Sequence, residues 1–213
     1  KIVVEGGNRL RGDIRISGAK NATLPMMAAT LLTRGRSTLS NVPSLRDVRT
    51  MGHVLRVLGA QVEYTDHSMT IDTANCSYCE APYELVKTMR ASVCVLGPIL
   101  ARNGHARVSL PGGCAWGPRP VDFHIRAMKE LGADIKLEHG YIVAEADRLR
   151  GGSIHFDTSS VGATENAMMA AALAEGATVI TNAAREPEIT ALGDFLAAMG
   201  ARITGHGTDT ITI

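Results

Sequence analysis

Three times along the chain, an amphipathic run of helical spacing ends at an apolar-Gly-Ala step, and two short alternating runs follow it. The steps are Leu58-Gly59-Ala60, Leu131-Gly132-Ala133 and Met199-Gly200-Ala201. The first run places Leu45, Val48, Leu55 and Leu58 on one helical face, and the second places Val121, Ile125, Met128 and Leu131. The third uses Ile189, Leu192, Leu196 and Met199. Residues three and four apart share a helix face, so each run predicts a surface helix with one apolar stripe. The glycine behind each stripe predicts a left-handed cap, which a residue without Cβ adopts at no steric cost. The alternating runs predict hairpins over 61–71, 134–143 and 202–213.

Ahead of each amphipathic run lies a stretch that is apolar nearly all round, over 23–32, 91–100 and 167–173. Such stretches predict helices buried on every side. Each then meets a glycine (Gly35, Gly104, Gly176) and a short strand-like run. The unit is therefore buried helix, strand, surface helix and hairpin, repeated at a period near 70 residues. One unit cannot cover its own buried helix, so three are expected to pack around a common axis. Chance recurrence of αβ punctuation is the competing reading, and three landmarks in register weigh against it. The register also exposes one irregularity. Gly35 to Leu58 and Gly176 to Met199 each span 23 residues, whereas Gly104 to Leu131 spans 27. The four extra residues fall within 111–120, a glycine-rich stretch holding Cys114 and the single Trp116, which marks a candidate active loop.

Composition narrows the class without changing this picture. The 213 residues are 45% hydrophobic and 20% charged, ordinary globular values that exclude disordered and fibrous chains. No run approaches the roughly 18 apolar residues of a membrane span, and no charged-then-apolar leader opens the sequence, so no membrane partner is expected. A formal charge of +1 lacks the basic excess of a dedicated nucleic-acid binder. Four cysteines in a chain of this length do not make a disulfide scaffold. A cytoplasmic, soluble protein is expected. With aromatics at 4%, its core must come from Ala, Val, Leu, Ile and nine Met.

The same register aligns the starts of the three buried helices at Lys20, Arg90 and Gly162, which lie 15, 14 and 14 residues ahead of their glycines. Under a three-fold arrangement these starts converge at one end. Helix N-termini present unpaired N–H groups and a positive dipole end, so three together predict an anion site. Lys20 and Arg90 add full charge there, and Ser160-Val161-Gly162 offers a hydroxyl and backbone amides. The bland alternative is that Lys20 and Arg90 are solvated helix-end charges. Cys114, between a glycine pair and Arg119, is the candidate nucleophile or acid, because a nearby cation and exposed N–H groups favour thiolate. Cys94 reads as a small buried hydrophobe. Cys76 and Cys79 lack the second pair that a zinc or redox site calls for. No histidine has metal-ligand spacing, and His53, His67, His124, His139 and His206 fall on predicted surfaces or turns. Gly112-Gly113-Cys114-x-x-Gly117 has the wrong spacing for a dinucleotide fingerprint.

These residues carry a resemblance. Ser17-Gly18-Ala19-Lys20-Asn21-Ala22, the run from Ala81 to Ser92, and Ser109 to Asp122 around Pro111-Gly112-Gly113-Cys114 resemble the UDP-N-acetylglucosamine 1-carboxyvinyltransferases. So do Ser160-Val161-Gly162-Ala163-Thr164 and the run from Asn182 to Ile189. The resemblance runs from end to end and corresponds to the N-terminal half of that family. The enolpyruvyl transferase acting on shikimate 3-phosphate is similar in fold but lacks the cysteine loop. The implied fold is mixed α/β (α+β): an inverse α/β barrel, or α-β prism, lobe of three repeats at about 18–72, 86–146 and 160–213 around buried central helices. Residues 1–17 then correspond to the segment that the family hands to its second lobe.

The resemblance implies transfer of enolpyruvate from phosphoenolpyruvate to the 3-hydroxyl of UDP-N-acetylglucosamine with release of phosphate, the first committed step of peptidoglycan synthesis. It implies addition and elimination through a tetrahedral intermediate, with no metal or organic cofactor. Lys20 and Asn21 correspond to phosphoenolpyruvate and substrate contacts, and Arg90 to a ligand of a charged substrate group. Cys114 corresponds to the acid that protonates the methylene carbon and is the site of alkylation by fosfomycin. Arg119, Pro120, Val121, Asp122 and Phe123 correspond to one nucleotide-holding segment, and Thr158, Ser159, Ser160 and Val161 to a second. At the position of Thr158 the family often carries a basic residue. The second lobe of the family supplies further catalytic groups, so this chain alone is expected to turn over no substrate. A non-catalytic nucleotide-sugar binding lobe would keep Lys20, Arg90 and the Arg119 segment but would not need the cysteine loop. A purely structural repeat would not place charges at equivalent helix starts.

Overall fold

The computed structural model describes residues 2–7, 9, 11–81, 83, 90–110 and 121–213, with backbone alone for Arg90, Ala91 and Ser92. Its first stretch begins with α1 (Lys20–Ala29), tightened into a 3₁₀ turn over Thr30–Leu32. Then come β1 (Arg36–Leu39), α2 (Arg46–Val57) and the hairpin of β2 (Gln61–Thr65) and β3 (Ser68–Asp72). The hairpin folds back so that β3, not β2, pairs antiparallel with β1, giving the order β1-β3-β2.

The second stretch contains β4 (Glu80–Ala81), a 3₁₀ segment over Arg90–Val95, α3 (Leu96–Asn103), β5 (His105–Ser109), α4 (Asp122–Glu130), β6 (Asp134–Glu138) and β7 (Tyr141–Glu145). Its sheet has the order β4-β5-β7-β6, the same plan with β4 added parallel to β5. The third contains β8 (Ser153–His155), α5 (Val161–Ala171), β9 (Val179–Thr181), α6 (Pro187–Ala198) and β10 (Thr210–Thr212). Here β8 runs parallel to β9, and β9 pairs antiparallel with β10.

α1, α3 and α5 form the centre. In α5, every residue from Ala163 to Ala171 is buried, as an all-round apolar helix requires. α2, α4 and α6 lie outside and bury one face each: Val48, Met51, Val54 and Leu55 on α2, and Ile189, Leu192 and Leu196 on α6. Their closing glycines, Gly59, Gly132 and Gly200, have φ of 99°, 91° and 105°, the left-handed caps expected from the sequence.

Four local expectations are corrected. Leu45 is 43% exposed, because it caps α2 rather than joining its stripe, where Met51 is buried instead. The second central helix begins as 3₁₀ and becomes α-helical only at Leu96. Pro98 explains this: a continuous α-helix would need its missing N–H, whereas in the first turn of α3 that N–H has no helical partner anyway. α5 ends at Ala171, and Leu173 is exposed. The third hairpin keeps only β10 and an isolated bridge from Thr204 to Thr212. Gly205 and Gly207, at φ of 78° and 90°, coil the chain between them, and His206 folds onto Gly193 of α6 instead of joining a ladder.

Candidate active site

Lys20 and Asn21 open α1, where Gly18 donates its N–H to the carbonyl of Asn41 at 3.1 Å. A Cβ on Gly18 would collide with that carbonyl, so glycine is required for the approach that sets the start of the helix. Ala19, at the N-cap, offers no side-chain cap, and the first turn contains no acidic residue. Two neighbouring helices supply acids instead. Lys20 Nζ lies 3.0 Å from Asp47 Oδ2 in the first turn of α2. Asn21 Nδ2 donates to Glu188 Oε1 at 3.1 Å in the first turn of α6. Asp47 and Glu188 each stand 11 residues ahead of the closing Leu58 and Met199, so the repeat places both carboxylates at equivalent points. Lys20 and its partner remain 43% and 35% exposed, open to solvent and to a ligand.

The structure packs the start of α4, which holds Val121, Asp122 and Phe123, against the residues just ahead of the second predicted nucleotide segment. Val121 and Phe123 are half-buried and Asp122 is exposed at the start of α4; Thr158 and Ser159 are exposed, and Ser160 and Val161 half-buried, at the start of α5. Phe123 meets the fully buried Phe156 edge-on, with centroids 6.1 Å apart. One turn along α4, Arg126 donates to Asp157 Oδ2 and to the carbonyl of His155, each at 2.6 Å. Ser160 caps α5 by accepting the N–H of Ala163 at 3.4 Å.

Beneath these starts lies a set of buried polar side chains that hydropathy reading missed. His124, expected on a surface, is only 8% exposed. Burial lowers its pKa from 6.5 to about 4, so the ring is neutral at physiological pH. Its Nδ1 lies 2.8 Å from Asn166 Nδ2, which also donates to the Val93 carbonyl at 2.9 Å. Asn166 Oδ1 accepts the N–H of Gly97 at 2.8 Å. Next to Asn166, Glu165 accepts a hydrogen bond from the Cys94 thiol at 3.4 Å. Burial, reinforced by Glu188 and Glu186, raises the carboxyl pKa of Glu165 to about 8, and the Cys94 thiol is pushed well up by burial and by Glu165. Cys94 is thus the inert, buried thiol expected of it. The missed signal was the Thr164-Glu165-Asn166 run inside an otherwise apolar helix. The Asn21–Glu188 hydrogen bond places the starts of α1 and α6 side by side, and the Cys94–Glu165 contact joins the 3₁₀ segment to α5.

Cys114, Arg119 and Pro120 lie outside the described residues, as does the side chain of Arg90. Among the described residues no cluster of His, Cys, Asp or Glu has the makings of a metal site, and no helix is long and apolar enough to cross a membrane.

The profile of the family described as EPSP synthase (3-phosphoshikimate 1-carboxyvinyltransferase) matches residues 4–213. The chain belongs to the EPSP synthase family. All of it aligns, at 57% identity, with a UDP-N-acetylglucosamine 1-carboxyvinyltransferase of Desulfosudis oleivorans, and at 56% with one of Geobacter metallireducens. In both cases it covers 51% of the relative, so the chain spans about half the length of these curated relatives. Among solved structures, the enolpyruvyl transferase NikO of Streptomyces tendae superposes with a TM-score of 0.85 at 26% identity, over 98% of this chain and 49% of that one. EPSP synthase of Acinetobacter baumannii superposes at 0.73 and 16% identity, over 95% of this chain and 46% of that one, a likeness of fold. The mixed α/β lobe of the enolpyruvyl transferase fold is therefore the architecture of this family member.

Proposed function

We propose that this chain forms the first lobe of an enzyme that moves the enolpyruvyl group of phosphoenolpyruvate onto the 3-hydroxyl of UDP-N-acetylglucosamine, serving peptidoglycan synthesis, and so cell shape and division, in the cytoplasm. The observation that carries the reading is the packing of Phe123 and Arg126, at the start of α4, against Phe156 and Asp157 just ahead of the 158–161 segment, in a chain 57% identical throughout to a relative of that name. A phosphorylated nucleotide presents anionic oxygens, which suit amides and hydroxyls at helix starts. Thr158, Ser159, Ser160, Val161 and the Arg119 to Phe123 segment hold the nucleotide. Lys20, Asn21 and Arg90 receive phosphoenolpyruvate and substrate charge.

The chemistry is addition followed by elimination. Cys114 gives a proton to the methylene carbon while the 3-hydroxyl oxygen bonds to the adjacent carbon, and a base on the second lobe takes the hydroxyl proton. The tetrahedral intermediate then loses a proton from the new methyl group and expels phosphate, which restores the double bond. Clustered cations stabilise the charge that develops. Residues 1–17 belong with the second lobe in this reading. Its support is that Ile2, Val3, Val4, Ile14 and Ile16 are each at least 79% exposed, more than apolar side chains of a finished core would be.

The test is phosphate release from the two substrates. The 213-residue chain alone is expected to be inactive, and its combination with the C-terminal half of the Desulfosudis oleivorans relative active. In the combined enzyme Cys114→Ser should lose turnover while keeping UDP-N-acetylglucosamine affinity, and fosfomycin should add its mass at Cys114. Ordinary turnover by the isolated chain, or equal loss of binding and turnover in Cys114→Ser, would overturn the proposal.

A further inference from the structure

The amide of Asn166 ties together elements that carry proposed substrate contacts. It sits on α5, which opens from the 158–161 segment. It touches the 3₁₀ segment that starts at Arg90 through the Val93 carbonyl, and α3 through the Gly97 N–H. It touches α4, which opens from the 121–123 segment, through His124. A backbone N–H can only donate, so the bond from Gly97 fixes Oδ1 as the acceptor and turns both amide hydrogens toward the Val93 carbonyl and His124 Nδ1. His124 Nδ1 must then accept, which leaves the ring proton on Nε2. The ring is locked from its other side as well. A Cβ on Gly162, in the first turn of α5, would lie 3.3 Å from its Cε1 and 3.5 Å from its Nε2.

We propose that Asn166 is a positioning residue for the nucleotide site, holding His124 in the Nε2-protonated form and thereby setting the spacing between the starts of α4 and α5. The inference rests on the proposed function only in naming the nucleotide. The hydrogen-bonded link exists in the fold whatever occupies the site. Phe123 precedes His124, so a displaced ring moves the first segment relative to the second. The amide is buried and every polar atom it bears is used, so its loss strands a backbone N–H, a carbonyl and a ring nitrogen together.

The test uses the 213-residue chain labelled with ¹⁵N. Imidazole nitrogen signals of the wild type should show His124 with an unprotonated, hydrogen-bonded Nδ1 and a protonated Nε2. A proton on Nδ1 would overturn the proposal without any variant. Titration with UDP-N-acetylglucosamine should shift the amides of 121–123 and 158–161. Asn166→Ala and His124→Phe should each weaken that binding about tenfold, and the double variant no further, since both remove one link. Should Asn166→Ala fail to fold, the isosteric Asn166→Asp keeps the acceptor for Gly97 and should move the His124 proton to Nδ1. Independent, additive losses, or variants that fold and bind as the wild type does, would defeat the positioning role and leave the function standing. A wild-type chain whose two segments ignore UDP-N-acetylglucosamine would defeat both.

Discussion

The starts of α1 and α5 occupy equivalent places in two repeats, yet they handle polar groups in opposite ways. At α1 the cap position is Ala19 and makes no side-chain bond, the charge of Lys20 lies at the surface, and the partners Asp47 and Glu188 come from other helices. At α5 Ser160 supplies the cap, no charged side chain stands in the first turn, and the polar groups Glu165 and Asn166 are buried one turn further in. One start keeps its amides and charge available to an anion. The other satisfies itself and spends its polarity on holding neighbouring helices. The same backbone unit thus serves as receiver in one repeat and as framework in another, and the division follows from a few side chains.

The framework side should be the more fragile. α3 approaches α5 so closely that a Cβ on Gly97 would lie 2.6 Å from the Asn166 carbonyl oxygen and 2.8 Å from its Oδ1. Gly97→Ala therefore forces two central helices apart and should destabilise the fold by about 3 kcal/mol. Urea unfolding monitored by circular dichroism checks this, and an unchanged midpoint would mean that the helix contact is looser than described.

Titration separates two members of the framework by sign. Glu165 has its pKa raised from 4.5 to about 8 in the fold, so the folded state binds more protons than the unfolded one between those values. Its contribution is complete below the unfolded pKa and is lost as pH rises through about 8. His124 is lowered from 6.5 to about 4, so its contribution is present above the unfolded value and is lost as pH falls toward about 4. Glu165→Gln should therefore abolish the alkaline loss of stability and leave the acid loss in place. Melting temperatures across the range decide it, and an alkaline decline that survives the substitution would assign that decline to another group.

What the sequence made legible, and what it hid, follows the same division. The caps at Gly59, Gly132 and Gly200 and the start at Lys20 were readable, and the start expected at Gly162 lies one residue earlier at Val161, because these features depend on neighbours within one or two turns. The pairing of Lys20 with Asp47 spans 27 residues and that of Asn21 with Glu188 spans 167, and no local pattern encodes either. Reading polarity as exposure then fails where a polar group is buried with partners. His124 passed as a surface residue for that reason, and Glu165 and Asn166 vanished into a helix counted as apolar. The switch from 3₁₀ to α at Leu96 was announced by Pro98, a signal present in the sequence but outweighed by the apolar run around it.

The caps themselves offer a smaller measure of the contrast. Ser160→Ala removes the side-chain acceptor for the Ala163 N–H and should cost about 1 kcal/mol. The corresponding Ala19 has no such bond to lose, so Ala19→Ser should be neutral or slightly stabilising. Thermal melts of the two variants compare them directly, and equal effects would erase the distinction between a capped and an open start.

Asp47→Asn should affect stability least of all. The pair it breaks is about two-fifths exposed at Lys20 and one-third exposed at Asp47, and such pairs contribute about 0.5 kcal/mol or less. The consequence lies in availability. With its acidic partner neutralised, Lys20 no longer divides its charge between Asp47 and an incoming anion, so inorganic phosphate should bind more tightly at the α1 start than in the wild type. The gain should shrink as salt is added, because both charges face solvent. At the α5 start itself, Ser160 and the buried amide of Asn166 carry no charge to release. Phosphate affinity that is indifferent to Asp47→Asn at low salt would show that Lys20 is merely a solvated helix-end charge, and the receiving role of the α1 start would fall with it.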